Sequence, residues 1–484
     1  MKRGLLGLAA LAAVLVLAYG SRARHGPALA DEFIYLAGAR HFSTTGDLNA
    51  RFYDADAILR KGYPHHDVHT PGYVLLLGSA MAVAKGTYWT AVALNVVGYV
   101  GSALLVAALG RCLGSGNWAA LAGGVLYLVL PTYLAYVYWA MAEVVLGTLF
   151  LAALVTAGAW GDRRWGALAT GVLFGAGVLV RESVLLALPA VLGLLVRRGR
   201  VRWFVVSAGA FLAFVYCPLS GDRAPGGANF WEPTGGRAFA HQVVQAGASG
   251  EWSRAVDLAI QRARANVGDL VSRTSWTERG FLLLFAGLPC SVLPGWRRRN
   301  ALERRFLSGL LASFLAMSGL LLFIYTLGQW SGFRYLMFLM PAFLPWVGPR
   351  GRRSRLLAVA TGVICLGLIL PTFRMLDAYK TSRQGRQARL TEYVERYVAP
   401  RSVRRIVLRD GWLFGLKHYP VEVISSLPSG GGGALRALER ALSFEILVLP
   451  RDSPLAPEID GRKRYRRLNG GTEDAPVFVY RRLS

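Results

Sequence analysis

Asp31-Glu32-Phe33-Ile34-Tyr35 comes shortly after an apolar run, residues 4–19, in a chain composed mostly of such runs. Two adjacent carboxylates at the edge of a bilayer are costly unless they are solvated or put to work. Pro27 is placed to open a helix. From there Asp31, Tyr35 and Gly38 share one face at helical spacing, and Glu32 points elsewhere. The stretch reads as a short helix along the membrane surface, with the remaining spans forming a cavity over it.

The chain has 484 residues, 54% of them hydrophobic, and a mean hydropathy of +0.38. That composition suits a multi-span membrane protein, not a soluble one. Apolar runs fall at about 4–19, 88–110, 117–136, 142–160, 166–180, 183–196, 202–219, 280–296, 306–327, 334–348 and 356–372. The run 71–84 is short for a span. It reads as a juxtamembrane or re-entrant helix, ended by Lys85 and Gly86.

The arginines choose between topologies. With eleven spans, Arg111, Asp162-Arg163-Arg164, Arg197-Arg198-Gly199-Arg200, Arg297-Arg298-Arg299 with Arg304-Arg305, and Arg350 to Arg355 all face the cytoplasm. The turns at 137–141, 181–182 and 328–333 are nearly free of arginine and face outward. Letting 71–84 cross would put most clusters outside, against the positive-inside rule. The N-terminus, with Lys2 and Arg3, is then cytoplasmic and the C-terminus extracytoplasmic. Ser21-Arg22-Ala23 is a poor cleavage site, so a retained first helix is expected.

The formal charge of +27 lies in these short clusters. It therefore reads as topology and as attraction to anionic lipid, not as a nucleic-acid surface. Cys112, Cys217, Cys290 and Cys365 sit in or at the ends of apolar runs, without paired spacing, and read as small apolar side chains.

The chain divides into a membrane domain, 1–372, with external loops 20–86 and 220–279, and a tail, 373–484. Trp231, Trp252 and Trp276 are candidate interface anchors in the second loop. In the tail a charged helical stretch, Arg383 to Tyr397, precedes strand-like runs at 405–408, 421–424, 445–449 and 477–480, with a helix at 434–442. The expected fold is an α-helical polytopic membrane protein with a small extracytoplasmic α/β domain.

Three stretches carry a family resemblance. The first is the acidic pair Asp31-Glu32 followed by Tyr35. The second is His69-Thr70-Pro71-Gly72-Tyr73-Val74-Leu75-Leu76, with Thr70 and Gly72 departing from the related pattern. The third is Ser331-Gly332-Phe333-Arg334-Tyr335-Leu336 with Pro341 beyond. In order and spacing, over about 30–375, these resemble the GT-C-type membrane glycosyltransferases. The most similar line is that of protein O-mannosyltransferases and lipid A aminoarabinose transferases, glycosyltransferase family 39. The resemblance implies sugar transfer from a polyprenyl-phosphate donor to a lipid, glycan or protein acceptor.

Such chemistry needs a base, cations for the departing phosphate, and a site reachable from the bilayer. Asp31 is the candidate base and its neighbour Glu32 the second catalytic candidate, since an acid held near a membrane surface suits general-base work. Asp31 is alternatively a helix cap or a partner of Arg40 or Arg51. Glu143 stands where the resembled family carries a second acid that orients substrate or holds a divalent metal. With Asp31 it is the candidate ligand for a magnesium or manganese ion, and it is alternatively a partner of Arg181. Arg334 leads the candidates for the phosphate, because its planar fork donates two hydrogen bonds at once. Arg181 and Lys85 follow, with Arg181 alternatively paired to Glu182 or Glu143. His66 and His69, in the His65-His66-Asp67-Val68-His69 cluster, and Tyr35 and Tyr73 are candidate acceptor or sugar contacts. The cluster has zinc-like elements but reads first as a wet loop. The rival reading is a transporter or flippase for a lipid-linked or anionic substrate, which predicts inverted repeats and mid-span acids.

Overall fold

The computed structural model describes residues 2–21, 30–46, 52–54, 71–84, 88–195, 200–220, 242–273 apart from 244, 287–323 apart from 291 and 294–295, and 333–347. In the tail it describes chiefly 405–408, 422–425, 432–441, 443–469 and 477–483. The expected helix at 383–397 and the span at 356–372 lie almost wholly outside these residues.

The helices are α1 (Lys2–Gly20), α2 (Ala30–Thr45), α3 (Pro71–Ala84), α4 (Tyr88–Cys112), α5 (Asn117–Val129), α6 (Pro131–Val137), α7 (Glu143–Trp160), α8 (Arg164–Val180), α9 (Leu188–Leu195), α10 (Val201–Ser220), α11 (Trp252–Arg273) and α12 (Ala301–Phe323). Of these, α1, α4, α7 and α12 are long and apolar enough to cross a membrane. The shorter apolar helices α3, α5, α8 and α10 pack around them, as does α9 with the 3-10 turn Glu182–Ala187 that precedes it.

Where helices cross, small residues let backbones meet. A Cβ on Gly171 of α8 would collide with the Ser207 hydroxyl and the Phe204 carbonyl of α10. One on Gly309 of α12 would collide with the Pro189 carbonyl of α9.

Three expected spans are broken, each at or beside a proline; the run 183–196 opens as the 3-10 turn Glu182–Ala187 and becomes α-helical only at Leu188, next to Pro189. The run 117–136 divides into α5 and α6 at Pro131, which has no N–H to continue a helix. The freed Leu128 carbonyl accepts the Tyr99 hydroxyl at 2.5 Å. The run 334–348 is not a continuous span. It forms two 3-10 turns, Phe333–Leu336 and Met340–Trp346, with Pro341 and Pro345 in the second. Met337, Phe338, Leu339, Phe343 and Trp346 of this segment are buried in the core. Non-helical backbone is tolerated at membrane depth only when protein surrounds it in this way.

One arginine of the expected cytoplasmic clusters is not solvated. Arg299 is buried, its Nη1 2.6 Å from Glu303 Oε1, and the Trp346 indole N–H donates to the same oxygen at 2.6 Å. The expected second external loop contains α11. Its Asn266 amide donates to the carbonyls of Leu321 and Leu322, at 3.3 and 2.7 Å, where α12 ends. Trp252 is exposed, Trp231 and Trp276 lie outside the described residues.

The tail forms β2 (Arg405–Leu408), β3 (Glu422–Ser425), α13 (Gly432–Ala441), β4 (Ile446–Pro450), α14 (Ala456–Asp460), β5 (Tyr465–Arg467) and β6 (Val477–Arg482). The sheet has six strands, because β1 (Phe52–Asp54), from the expected first external loop, pairs in parallel with β3. The order is β1-β3-β2-β4-β6-β5, with β6 antiparallel to β4 and β5. Val407, Leu447 and Leu449 pack to one side with Leu435 and Leu438 of α13. Ile406, Leu408, Ile446 and Val448 pack to the other with Val394 and Val403. Apolar residues on both faces fit the parallel centre of such a sheet. Since one sheet cannot straddle a bilayer, residues 52–54 and the tail lie on the same side of it.

Candidate active site

Asp31 and Glu32 occupy the first turn of α2, where acids suit the positive end of the helix dipole. Glu143 opens α7. Arg181 stands between α8 and the 3-10 turn that follows, and Arg334 lies in the Phe333–Leu336 turn. The fold brings four of these groups together. Arg334 Nη1 is 2.5 Å from Asp31 Oδ2. Arg181 Nη1 is 2.7 Å from Glu143 Oε1. Arg334 Nε is 3.8 Å from that same Glu143 oxygen, which links the two pairs. Of the partners left open by the sequence, Arg181 takes Glu143.

The network is graded from inside to outside. The Glu143 side chain is 2% exposed and Arg181 9%; Arg334 is 15% exposed and Asp31 22%. Asp31 is therefore the acid of this network that solvent reaches most. The Tyr335 ring supports both cations, with the Arg181 guanidinium 4.5 Å and the Arg334 guanidinium 5.4 Å from its centroid. Such a contact holds a guanidinium in place without neutralising it.

Glu32 is separated from this group. It is fully buried, and its Oε1 accepts the Ala140 backbone N–H at 2.8 Å. Tyr35 and Tyr73 are buried and packed edge to face, with centroids 4.9 Å apart. Their rings are part of the packed interior, and Tyr35 lies within electrostatic reach of Arg181 and Tyr73 of Glu143 and Glu32. His66, His69 and Lys85 lie outside the described residues.

Three further residues border the site. The Tyr335 ring lies beneath both guanidiniums; in the sequence only its place in the 331–336 motif marks it. The Tyr136 hydroxyl lies within electrostatic reach of Glu143, Arg334, Arg181 and Asp31. Asn95 is fully buried in the middle of an apolar helix. A polar side chain in a span is itself a signal, and Asn95 carried it.

Asp31 and Glu143 do not fit a divalent cation as they stand, since each already holds a guanidinium and a metal there would face two positive charges. Among the described residues no group of three or more His, Cys, Asp or Glu side chains is placed to hold an ion.

The sequence matches no family profile and no curated protein. Its fold does match solved structures. ArnT from Cupriavidus metallidurans, bound to undecaprenyl phosphate, superposes with a TM-score of 0.60 at 14% identity, covering 98% of this chain and 97% of that one. The apo oligosaccharyltransferase of Archaeoglobus fulgidus superposes with a TM-score of 0.56 at 14% identity, covering 93% of this chain and 69% of that one. The same archaeal enzyme, AglB, in complex with an inhibitory peptide and a dolichol-phosphate, gives 0.55 at 14% identity over 92% and 69%. The chain thus has the GT-C fold of polytopic membrane glycosyltransferases.

Proposed function

We propose that this protein is an integral-membrane glycosyltransferase. It moves a sugar from a polyprenyl-phosphate-linked donor to a lipid, glycan or protein acceptor at the extracytoplasmic face. The observation that carries this reading is the pairing of Asp31 with Arg334 beside the buried Arg181–Glu143 pair, on a GT-C fold. Two of the fold's solved relatives hold a polyprenyl phosphate, undecaprenyl phosphate in ArnT and dolichol-phosphate in AglB. Two adjacent guanidiniums suit such a group.

In this mechanism the donor phosphate takes Arg334 from Asp31. The released carboxylate, the most solvent-accessible acid of the network, then accepts the proton of the acceptor hydroxyl or amine. The acceptor atom attacks the anomeric carbon as the bond from that carbon to the phosphate oxygen breaks, inverting the centre. The negative charge developing on the departing phosphate is held by Arg334 and Arg181. Glu143 keeps Arg181 oriented throughout. Lys85, His66 and His69 are further candidates for phosphate or acceptor contact. In this reading the arginine clusters argue for a cytoplasmic N-terminus and an extracytoplasmic C-terminal sheet.

The test is sugar transfer by the purified protein from a panel of undecaprenyl- and dolichyl-phospho-sugars. Wild type should transfer from at least one, with Asp31→Asn and Arg334→Ala strongly impaired. No transfer from any donor, together with movement of the intact lipid across vesicles, would replace this reading with the transport one.

A further inference from the structure

Residues 138–142 connect α6 to α7, and together with the last two residues of α6 they are buried at every position, from Tyr136, 3% exposed, to Ala142, 0%. Buried loop backbone must find hydrogen-bond partners, more so at membrane depth, where water does not supply them. Here side chains from two other helices supply them. The Asn95 amide donates to the Tyr136 carbonyl at 3.2 Å and to the Trp139 carbonyl at 2.6 Å. The Tyr88 hydroxyl donates to the Tyr138 carbonyl at 2.6 Å. Glu32 accepts from the Ala140 N–H at 2.8 Å. The turn closes on itself through Met141 N–H to Trp139 O at 2.7 Å.

Both ends of this loop face the candidate site. Tyr136 reaches Glu143, Arg334, Arg181 and Asp31 electrostatically, and Glu143 follows directly in sequence. We infer that Asn95, Tyr88 and Glu32 are positioning residues: they fix the 136–142 backbone and thereby aim Glu143, and through it Arg181 and Arg334. Glu32 then works as a hydrogen-bond acceptor, and its role needs no proton transfer. The inference presupposes transfer chemistry at the Asp31–Arg334 pair, and its test is arranged to separate the two.

The discriminating variant is Glu32→Gln, which keeps a carbonyl oxygen for the Ala140 N–H. It should retain transfer within about threefold of wild type and an unchanged pH profile. Glu32→Ala and Asn95→Leu should lower kcat by about a hundredfold, the cost of an ångström-scale misplacement, with a smaller change in donor KM. The independent readout is amide hydrogen exchange of residues 136–142 in the full-length protein in nanodiscs. It should quicken by at least about tenfold in Glu32→Ala and Asn95→Leu and stay at the wild-type rate in Glu32→Gln. Loss of transfer in Glu32→Gln with unchanged exchange would make Glu32 a proton-transfer group and overturn the inference. So would wild-type exchange in both Glu32→Ala and Asn95→Leu. Wild-type protein that transfers nothing yet shows the expected exchange pattern would remove the proposed reaction and leave the scaffold role standing.

Discussion

Arg334 Nη1 lies 2.5 Å from Asp31 Oδ2, although the two residues are 303 positions apart in the chain. The contact joins the first turn of α2 to the Phe333–Leu336 turn. It brings together an acid and a cation from two of the stretches that carry the family resemblance.

Asp31→Asn should lower kcat by about 10²- to 10⁴-fold, the usual contribution of a general base. Asparagine keeps the shape and an acceptor for Arg334, so donor binding should change little. Steady-state kinetics at saturating donor check this, and a variant with full activity would remove Asp31 from the base role.

Arg334→Lys should keep a positive charge but lose the planar fork that can donate two hydrogen bonds to the phosphate at once. We predict weaker binding of polyprenyl phosphate, read by titration of intrinsic fluorescence, and an intermediate rate. Wild-type affinity in Arg334→Lys and Arg334→Ala alike would place the phosphate elsewhere.

Glu143→Gln should be costly for stability as well as for activity. The pair with Arg181 is almost wholly buried, and removing one member of such a pair leaves an uncompensated charge, at about 3–5 kcal/mol. Arg181→Gln added to Glu143→Gln should restore much of that loss without restoring transfer. Thermal unfolding of the three proteins in one detergent decides it; equal midpoints for wild type and Glu143→Gln would contradict the geometry.

Gly309→Ala should destabilise, since the new methyl would meet the Pro189 carbonyl, a backbone atom that cannot swing aside. Overpacking of this kind costs about 1–3 kcal/mol. Gly319, with open space around its would-be Cβ, is the control. A thermal shift in Gly319→Ala as large as that in Gly309→Ala would refute the packing argument.

Cysteines placed at Tyr53 and Ile424, partners in the β1–β3 register, should form a disulfide under mild oxidation. Neighbouring strands lie about 4.8 Å apart, within the usual Cα separation of a disulfide. Failure to cross-link in folded protein would mean that the first external loop and the tail are not joined.

By itself the sequence determined what depends on run length and local pattern. Apolar runs placed α1, α4, α7, α8, α10 and α12 to within a few residues, and of these α1, α4, α7 and α12 are long and apolar enough to span. Short apolar, β-branched-rich runs bounded by polar residues placed β2, β3, β4 and β6. Adjacency to those runs also located Asp31, Glu143, Arg181 and Arg334 near span ends. Only the tertiary structure decided which of these groups touch. The Arg334–Asp31 pair and the β1–β3 pairing join residues hundreds of positions apart, and no local periodicity encodes either. The same holds for the division between the two acids of the opening stretch. Asp31 faces an arginine and solvent, whereas Glu32 is taken up by the Ala140 amide, a backbone group that any residue at position 140 except proline would present. The break of 334–348 into 3-10 turns, signalled by Pro341 and Pro345, became definite only through the core that encloses it.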